Sequence, residues 1–213
     1  QTTSGGYNTA VGDTALYINS TGASNTAVGQ ATLWANTTGN YNVAVGRDAL
    51  TANTTGYENV AVGTNALSTN VALRKNVAIG HNAMRYADSS ATGSDRFNTA
   101  VGHGAMAGSA TAANNTGYRN TALGGNVMTS MTSGFENTSL GYRSMELLTT
   151  GSNNVAVGNL TLNNVTGAIE NTAIGYSAGS SLTTGSNNIM VGNNTQPPAA
   201  TTSNHLNIGG TIY

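Results

Sequence analysis

One five-residue phrase, Asn-x-Ala-Val-Gly in its commonest form, recurs along nearly the whole 213-residue chain. Every copy begins with Asn and ends with Gly, and consecutive copies are 17 residues apart except for two steps of 22 residues. A fixed period of this length predicts a solenoid, in which each repeat forms one coil that packs on its neighbours. The eleven leading asparagines are Asn8, Asn25, Asn42, Asn59, Asn76, Asn98, Asn120, Asn137, Asn154, Asn171 and Asn188.

The phrase itself has the pattern of a short β-strand. We number the leading Asn of each coil as column zero. Column three is always aliphatic, and column one is Thr, Val or Ile. Columns one and three share one face and columns zero, two and four the other, which is the period-two pattern of a strand. We expect column one to face inward. The invariant Gly and the frequent Thr-Gly pairs count against a helix.

A second apolar pair follows at columns seven and eight, as in Ala15-Leu16 and Ala83-Met84. A polar turn such as Thr38-Gly39 comes next. Each repeat is therefore predicted to run strand, corner, short strand and turn. The fold class is all-β: a parallel β-solenoid, or β-roll, of eleven coils. At about 4.8 Å a coil it forms a rod on the order of 50 Å long.

Columns zero and eight of the repeat each lead to a structural prediction. The asparagines of column zero are expected to form an amide ladder, each side chain bonding to the coils above and below. A binding or catalytic site would need one or two of them, whereas a ladder needs all eleven. A 17-residue coil encloses little volume, so the Leu/Met stripe of column eight is expected to need cover from parallel copies of the chain. This predicts a homo-oligomer.

The amino-acid composition excludes several classes of function. Charged residues make up 7% of the chain, and the 7 Lys+Arg nearly balance the 8 Asp+Glu, so no basic patch exists for a nucleic acid partner. The absence of cysteine excludes a disulfide framework and a thiolate metal site. No apolar run approaches the ~18 residues of a membrane span, so we expect no membrane insertion. An Asn/Thr/Gly-rich, charge-poor surface suits an extracellular structural protein.

The phrase resembles the Asn/Ser-Val-Ala-Ile-Gly repeats of trimeric autotransporter adhesin heads, which form a trimeric left-handed parallel β-roll. The same kind of repeat occurs in bacteriophage tail fibres and tail spikes. The segment Asn204–Tyr213 is similar to the sequence that precedes a self-cleaving intramolecular chaperone domain in tail fibres. The resemblance implies a homotrimer and a place in the virion tail. The 17-residue period is longer than that of the adhesin heads, and we expect no membrane-anchoring stalk of the kind that such an adhesin requires.

The domain organisation follows from where the pattern stops. We expect a β-roll over residues 1–192 and a linker over 193–203, because Pro197 and Pro198 cannot donate to a ladder. Residues 204–213 are expected to begin a C-terminal element, which on the resemblance precedes a chaperone-like domain.

Two consecutive repeats carry five extra residues each, within 85–92 and 107–115. Insertions in solenoids emerge as loops on one face, often the binding face. A receptor or glycan contact is one interpretation, and tolerated surface insertions or corner packing are the other. His81 and His103 share column five in adjacent coils and are expected to stack at a solvated position, with no metal or cofactor bound. The candidate receptor-binding residues are Tyr86, Asp88, Asp95, Arg96, Tyr118 and Phe135.

The sequence argues against an enzyme, because its carboxylates are scattered and no nucleophile elbow is present. We expect a structural fibre protein: a phage tail fibre or spike shaft that also contacts a host-surface receptor or glycan. The alternative is the head domain of a bacterial trimeric surface adhesin, located on the cell surface. A minor alternative is an ice-binding solenoid, which would need an outward-facing Thr column.

Overall fold

The computed structural model describes residues 5–87, 89, 92–111 and 115–209, and the backbone of 211–212. Within these residues, one 13-stranded sheet contains all the strands in chain order. The strands are β1 Thr9–Val11, β2 Thr26–Val28, β3 Val43–Val45, β4 Val60–Val62, β5 Val77–Ile79, β6 Thr99–Val101, β7 Thr121–Leu123, β8 Thr138–Leu140, β9 Val155–Val157, β10 Thr172–Ile174, β11 Ile189–Val191, β12 Leu206–Ile208 and β13 Thr211–Ile212. Neighbours from β1 to β11 are parallel and in register, column on column, as where Thr26 pairs with Val43. The predicted parallel β-solenoid is confirmed.

The strand order continues beyond the last copy of the phrase. β12 pairs in parallel with β11, and Leu206 lies opposite Ile189, which is again a step of 17 residues. The backbone N–H of Thr183 donates to the carbonyl of Ala200 at 2.8 Å, as its counterparts do in earlier coils. β13 then turns back antiparallel to β12. The expected division at residues 192 and 203 stays a prediction.

The strands face the opposite way from our expectation. The column-two alanines, such as Ala44 and Ala61, are completely buried, whereas Val43 and Ile79 are each 38% exposed. Columns one and three therefore face outward, and the expectation that column one faces inward is wrong. The small alanines fit the narrow interior of the coil, and the bulkier β-branched side chains stand on the outer face.

The Leu/Met stripe is covered within the chain. Leu33, Leu50 and Met128 at column eight have no exposed surface, and they form one core cluster with the column-two alanines. The expectation that this stripe needs cover from other copies is wrong. It rested on the coil being too small, but each coil closes around its column-eight side chain because column two of its strand is nearly always the small Ala.

The segment that carries columns five to ten is a continuous turn and not the short strand that was expected. Its non-glycine residues at columns six and eight have left-handed backbone angles, as Asp48 (φ 58°) and Leu50 (φ 51°) show. The amide of Asp48 donates to Gln30 in the preceding coil, and that of Leu50 donates to Ala66 in the following coil, both at 3.0 Å. Alternating left-handed residues are costly in isolation, so the coil-to-coil hydrogen bonds must hold them.

The invariant Gly at column four has a steric cause. Gly63 has φ of 131°, and a Cβ built on it would lie 2.5 Å from the carbonyl oxygen of Gly80 in the next coil. Backbone therefore packs directly on backbone at this corner, which only glycine allows.

Candidate binding surfaces on the rod

The column-zero asparagines form a continuous ladder of hydrogen bonds. The side-chain oxygen of each one accepts from the backbone N–H of the next, from Asn8 through Asn188. In most coils the amide Nδ2 also donates to a column-fourteen carbonyl, as Asn42 does to Gly56 at 2.8 Å. These side chains are buried from Asn25 onward. Their amide groups therefore form hydrogen bonds inside the solenoid and do not face a ligand.

A second, shorter ladder lies at column eleven of the first four coils, and our sequence analysis missed it. The Nδ2 atoms of Asn36 and Asn53 donate to Asn19 and Asn36 at 2.7 and 2.8 Å, and Asn70 extends the row at 3.1 Å. The 17-residue spacing of these four residues was visible in the sequence. Later coils fill the column with apolar side chains, namely Met131, Leu148, Val165 and Leu182.

Four of the candidate receptor-binding residues lie at one corner, on coils next to the insertions. Asp95, Arg96, Tyr118 and Phe135 all come two or three residues before a leading Asn. The rings of Tyr118 and Phe135 stack with centroids 5.1 Å apart and planes 3° apart. Arg96 donates to the carbonyl of Thr116. The corner therefore combines an aromatic stack with charged side chains.

Tyr86 lies elsewhere, at column ten, with the guanidinium of Arg85 4.9 Å from its ring centroid. Nδ2 of Asn115, in the second insertion, donates to the carbonyl of Tyr86 and to that of Ser109. The two insertions are thus joined by hydrogen bonds. Asp88 lies outside the described residues. The roles proposed for all six residues stay predictions.

The 17-residue period places Glu58 one coil from Lys75 and Arg119 one coil from Glu136, which predicts two ion pairs between coils. Arg119 pairs with Glu136 at 2.8 Å, which confirms the second of these predictions. Lys75 contacts Asp95 at 2.6 Å in place of the expected Glu58. The hydrogen bond to Asp95 raises the pKa of Lys75, and the nearby Glu58 carboxylate adds to that effect from a distance. Both pairs are solvent-accessible and contribute little to stability.

The outward columns of the strands form a long, largely apolar stripe, which we call the strand face: columns one and three of β1–β12. Column three is aliphatic on every one of these strands, and column one is Thr on half of them. Side chains on nine of these twelve strands are among the exposed large hydrophobic residues of the protein. They are Val11, Val43, Ile79, Leu123, Leu140, Val155, Ile174, Ile189 and Ile208. The stripe spans roughly 50 Å by 7 Å between its two columns.

A second exposed apolar feature was also missed in the sequence. Tyr17 and Trp34 occupy column nine of the first two coils and are 56% and 40% exposed. Their rings are parallel to within 1°, with centroids 6.3 Å apart. The signal was again the 17-residue spacing, here of two aromatic residues in a chain that is 6% aromatic.

Sites for metals and small ligands are sparse among the described residues. His81 and His103 stack as predicted, with ring centroids 5.1 Å apart, but the described residues contain no group of three or more His, Cys, Asp or Glu that could hold a metal ion. An apolar cleft under the insertions is lined by Leu73, Met84, Met106 and Met131, among others. No carboxylate is among its described lining residues. The expectation that the chain is not an enzyme stays a prediction.

Comparisons with protein-family models, curated proteins and solved structures found no match. Within the part of the chain that the structure describes, no helix is long and apolar enough to cross a membrane. The fold therefore defines the class of protein, a β-solenoid repeat protein of about eleven turns, and its function has to be argued from its surfaces.

Proposed function

We propose that the chain is a structural rod that associates side by side with identical copies through its strand face, as the shaft of an extracellular fibre. The observation that carries the proposal is the apolar strand face, which runs from β1 to β12. The largest apolar patch on a monomeric soluble protein covers about 300–600 Å² and is often a functional surface. The columns of the strand face cover about 350 Å² even before side chains on either flank are counted.

Identical copies are the partners that best suit this face. The stripe keeps the same two columns in register over its whole length, so a parallel copy would oppose matching residues at every coil. A receptor site would need only a local patch. The formal net charge of −1 imposes little electrostatic repulsion between copies. The area is below that of a standard interface, about 800 Å² per partner, so flanking corner residues must contribute.

Three copies around a common axis, in a phage tail fibre or spike, are the assembly that we propose. Its support is the resemblance of the Asn-x-Ala-Val-Gly phrase and of the Asn204–Tyr213 segment. The head of a bacterial trimeric adhesin is the alternative, and the same strand face would serve it. In either setting the rod holds a receptor- or glycan-contacting surface away from the particle or cell. The insertion coils are our candidate for that surface.

Light scattering tests the association. The expected mass is three times the 21.4 kDa of one chain. A double variant, Ile79→Asp with Leu140→Asp, would bury charges at the interface and is expected to give single chains. A matched control, Gln30→Asp with Asn193→Asp, adds the same charge at exposed column-five positions and should leave the mass unchanged. A wild-type mass of one chain would overturn the proposal.

Ice binding is a second candidate, because the structure removes the objection raised from the sequence. Column one faces outward, and it holds Thr on six of the strands β1–β12. The other six strands carry Val, Ile or Leu there, so the Thr array is interrupted. Thermal hysteresis of a solution of single chains would support this function. A trimer without thermal hysteresis would dismiss it, since association covers the same face.

A further inference from the structure

We infer that the aromatic pair Tyr17–Trp34 is a binding site for a linear oligosaccharide lying along column nine of the rod. The site is separate from the strand face, because the chain turns the corner at the column-four Gly before it reaches column nine. The inference therefore does not depend on the association of copies. It assigns a glycan contact to Tyr17 and Trp34, whose coils precede the first coil that carries an insertion.

The coil does not require aromatic side chains at this column. The following coils carry Thr51 and Ser68 there and have the same backbone. The aromatic residues nevertheless stand in the first two coils, one of them the only Trp in the chain. Exposed Trp and Tyr offer a large flat surface with few rotatable bonds, which is why they are common in binding sites.

The scaffold fixes the backbone that carries the two rings. The residues before them, Leu16 and Leu33, are buried in the core. The amide of Leu33 donates to Ala49, and that of Ile18 donates to the carbonyl of Trp34, both at 3.0 Å. With the backbone fixed, Tyr and Trp have only two side-chain torsions each to order when a ligand binds, which favours recognition by this surface.

Polar groups continue the same column past the rings. Thr51 and Ser68 bring hydroxyl groups to the next two coils, and Arg85 follows them. At about 4.8 Å a coil, the row from Tyr17 to Arg85 is about 19 Å long. A sugar ring has apolar C–H faces that pack on aromatic rings and hydroxyl groups that hydrogen-bond at its edge. A row of aromatic and then polar side chains matches such a ligand.

Other classes of ligand suit the row less well. Single-stranded nucleic acids also stack on aromatic rings, but they need a cationic groove along the backbone, and Arg85 is the only cationic residue in the row. A protein partner would need roughly 800 Å² of surface, far more than two rings provide. The geometry therefore favours an oligosaccharide.

The single Trp allows a direct test on the full chain. Titration with cellohexaose, chitohexaose and maltohexaose is expected to give a saturable change in Trp34 fluorescence with at least one of them. Tyr17→Ala should weaken this binding by about tenfold, because it removes one stacking surface. Tyr17→Leu keeps apolar cover for the coil and should weaken it comparably. Tyr176→Ala is the matched control, since Tyr176 is also 56% exposed.

Trp34→Ala removes the reporter, so its binding is followed by retardation in gels that contain the responding polysaccharide. Loss of retardation is expected. The inference is overturned if no sugar gives a saturable change, if Tyr17→Ala and Tyr17→Leu bind as tightly as the wild type, or if only a dT hexanucleotide responds. Light scattering on the same samples reports association independently, so failure of one proposal is distinguishable from failure of the other.

Discussion

The side-chain oxygen of Asn25 accepts two hydrogen bonds from Asn42, one from its backbone N–H at 2.9 Å and one from its Nδ2 at 3.1 Å. Asn42 in turn accepts the same pair from Asn59, each at 3.1 Å. Each side chain must therefore accept from one neighbouring coil and donate to the other. Only a side-chain amide of this length meets both demands, which explains why Asn is invariant at column zero.

Replacing Asn42 should be costly in the middle of this ladder. Asn42→Ala leaves the backbone N–H and side chain of Asn59 without their acceptor, and Asn42→Asp buries a charge that cannot donate to Asn25 or Gly56. We expect losses of about 2–4 kcal/mol in the free energy of unfolding for Ala and at least as much for Asp. Urea denaturation measures both, with the exposed Asn193→Ala as control. Equal stability of Asn42→Ala and the control would contradict the structural role.

The column-four corner gives a prediction from backbone packing. In Gly63→Ala the new methyl group would meet the Gly80 carbonyl, and the residue would have to keep φ near 131°. We expect a loss of about 2–4 kcal/mol from strain and displacement together. Gly125→Ala is the matched control, because its Cβ would make only ordinary contact with the Tyr142 ring. A thermal melt of the two variants compares them, and equal midpoints would contradict the explanation.

Much of the fold could be predicted from the sequence, because the same structural requirement recurs at a given position of the solenoid coil in every repeat. The invariant Asn and Gly and the strand of columns one to three were all evident as columns. The stacking of His81 on His103 and the pairing of Arg119 with Glu136 followed from the period alone. The number of residues between two positions determines how many coils separate them along the rod. Contacts between neighbouring coils are therefore predictable from the sequence.

The direction of the strand faces was not predictable in the same way. A period-two pattern says which residues share a face, but both faces of this strand carry apolar residues, Ala on one and Val on the other. Which one lies inside depends on the left-handed residues at columns six and eight, such as Leu50. Leucine seldom adopts that conformation, so the residue type at column eight does not indicate a left-handed backbone. The Leu/Met stripe was misassigned for the same reason.

The second Asn ladder predicts non-additive substitutions. Asn53→Leu alone leaves the Asn36 oxygen without a donor and the Asn70 amide without an acceptor, so we expect a loss of about 2–3 kcal/mol. Replacing Asn19, Asn36, Asn53 and Asn70 together by Leu should cost less than the sum of the four single variants. Replacing all four removes both partners of every hydrogen bond within the row. Only the Leu73 amide, which donates to the Asn70 oxygen, then loses its partner, and Asn70→Leu alone has that same loss. Leu148 and Leu182 show that the column accepts Leu. Urea denaturation of the five variants measures this, and additive losses would contradict it.

Ser139 stands at column two, where nine of the other ten copies of the phrase have Ala. It is almost fully buried, and its hydroxyl has no hydrogen-bond partner among the described residues. Burying such a hydroxyl is unfavourable, so Ser139→Ala should stabilise the protein by about 1 kcal/mol. The hydroxyl of the nearby buried Ser144 donates to the carbonyl of Thr161 at 3.3 Å, so Ser144→Ala should destabilise it. The two variants remove the same atom and are expected to shift the urea midpoint in opposite directions. A loss of stability in Ser139→Ala similar to that in Ser144→Ala would mean that the Ser139 hydroxyl is bonded in solution.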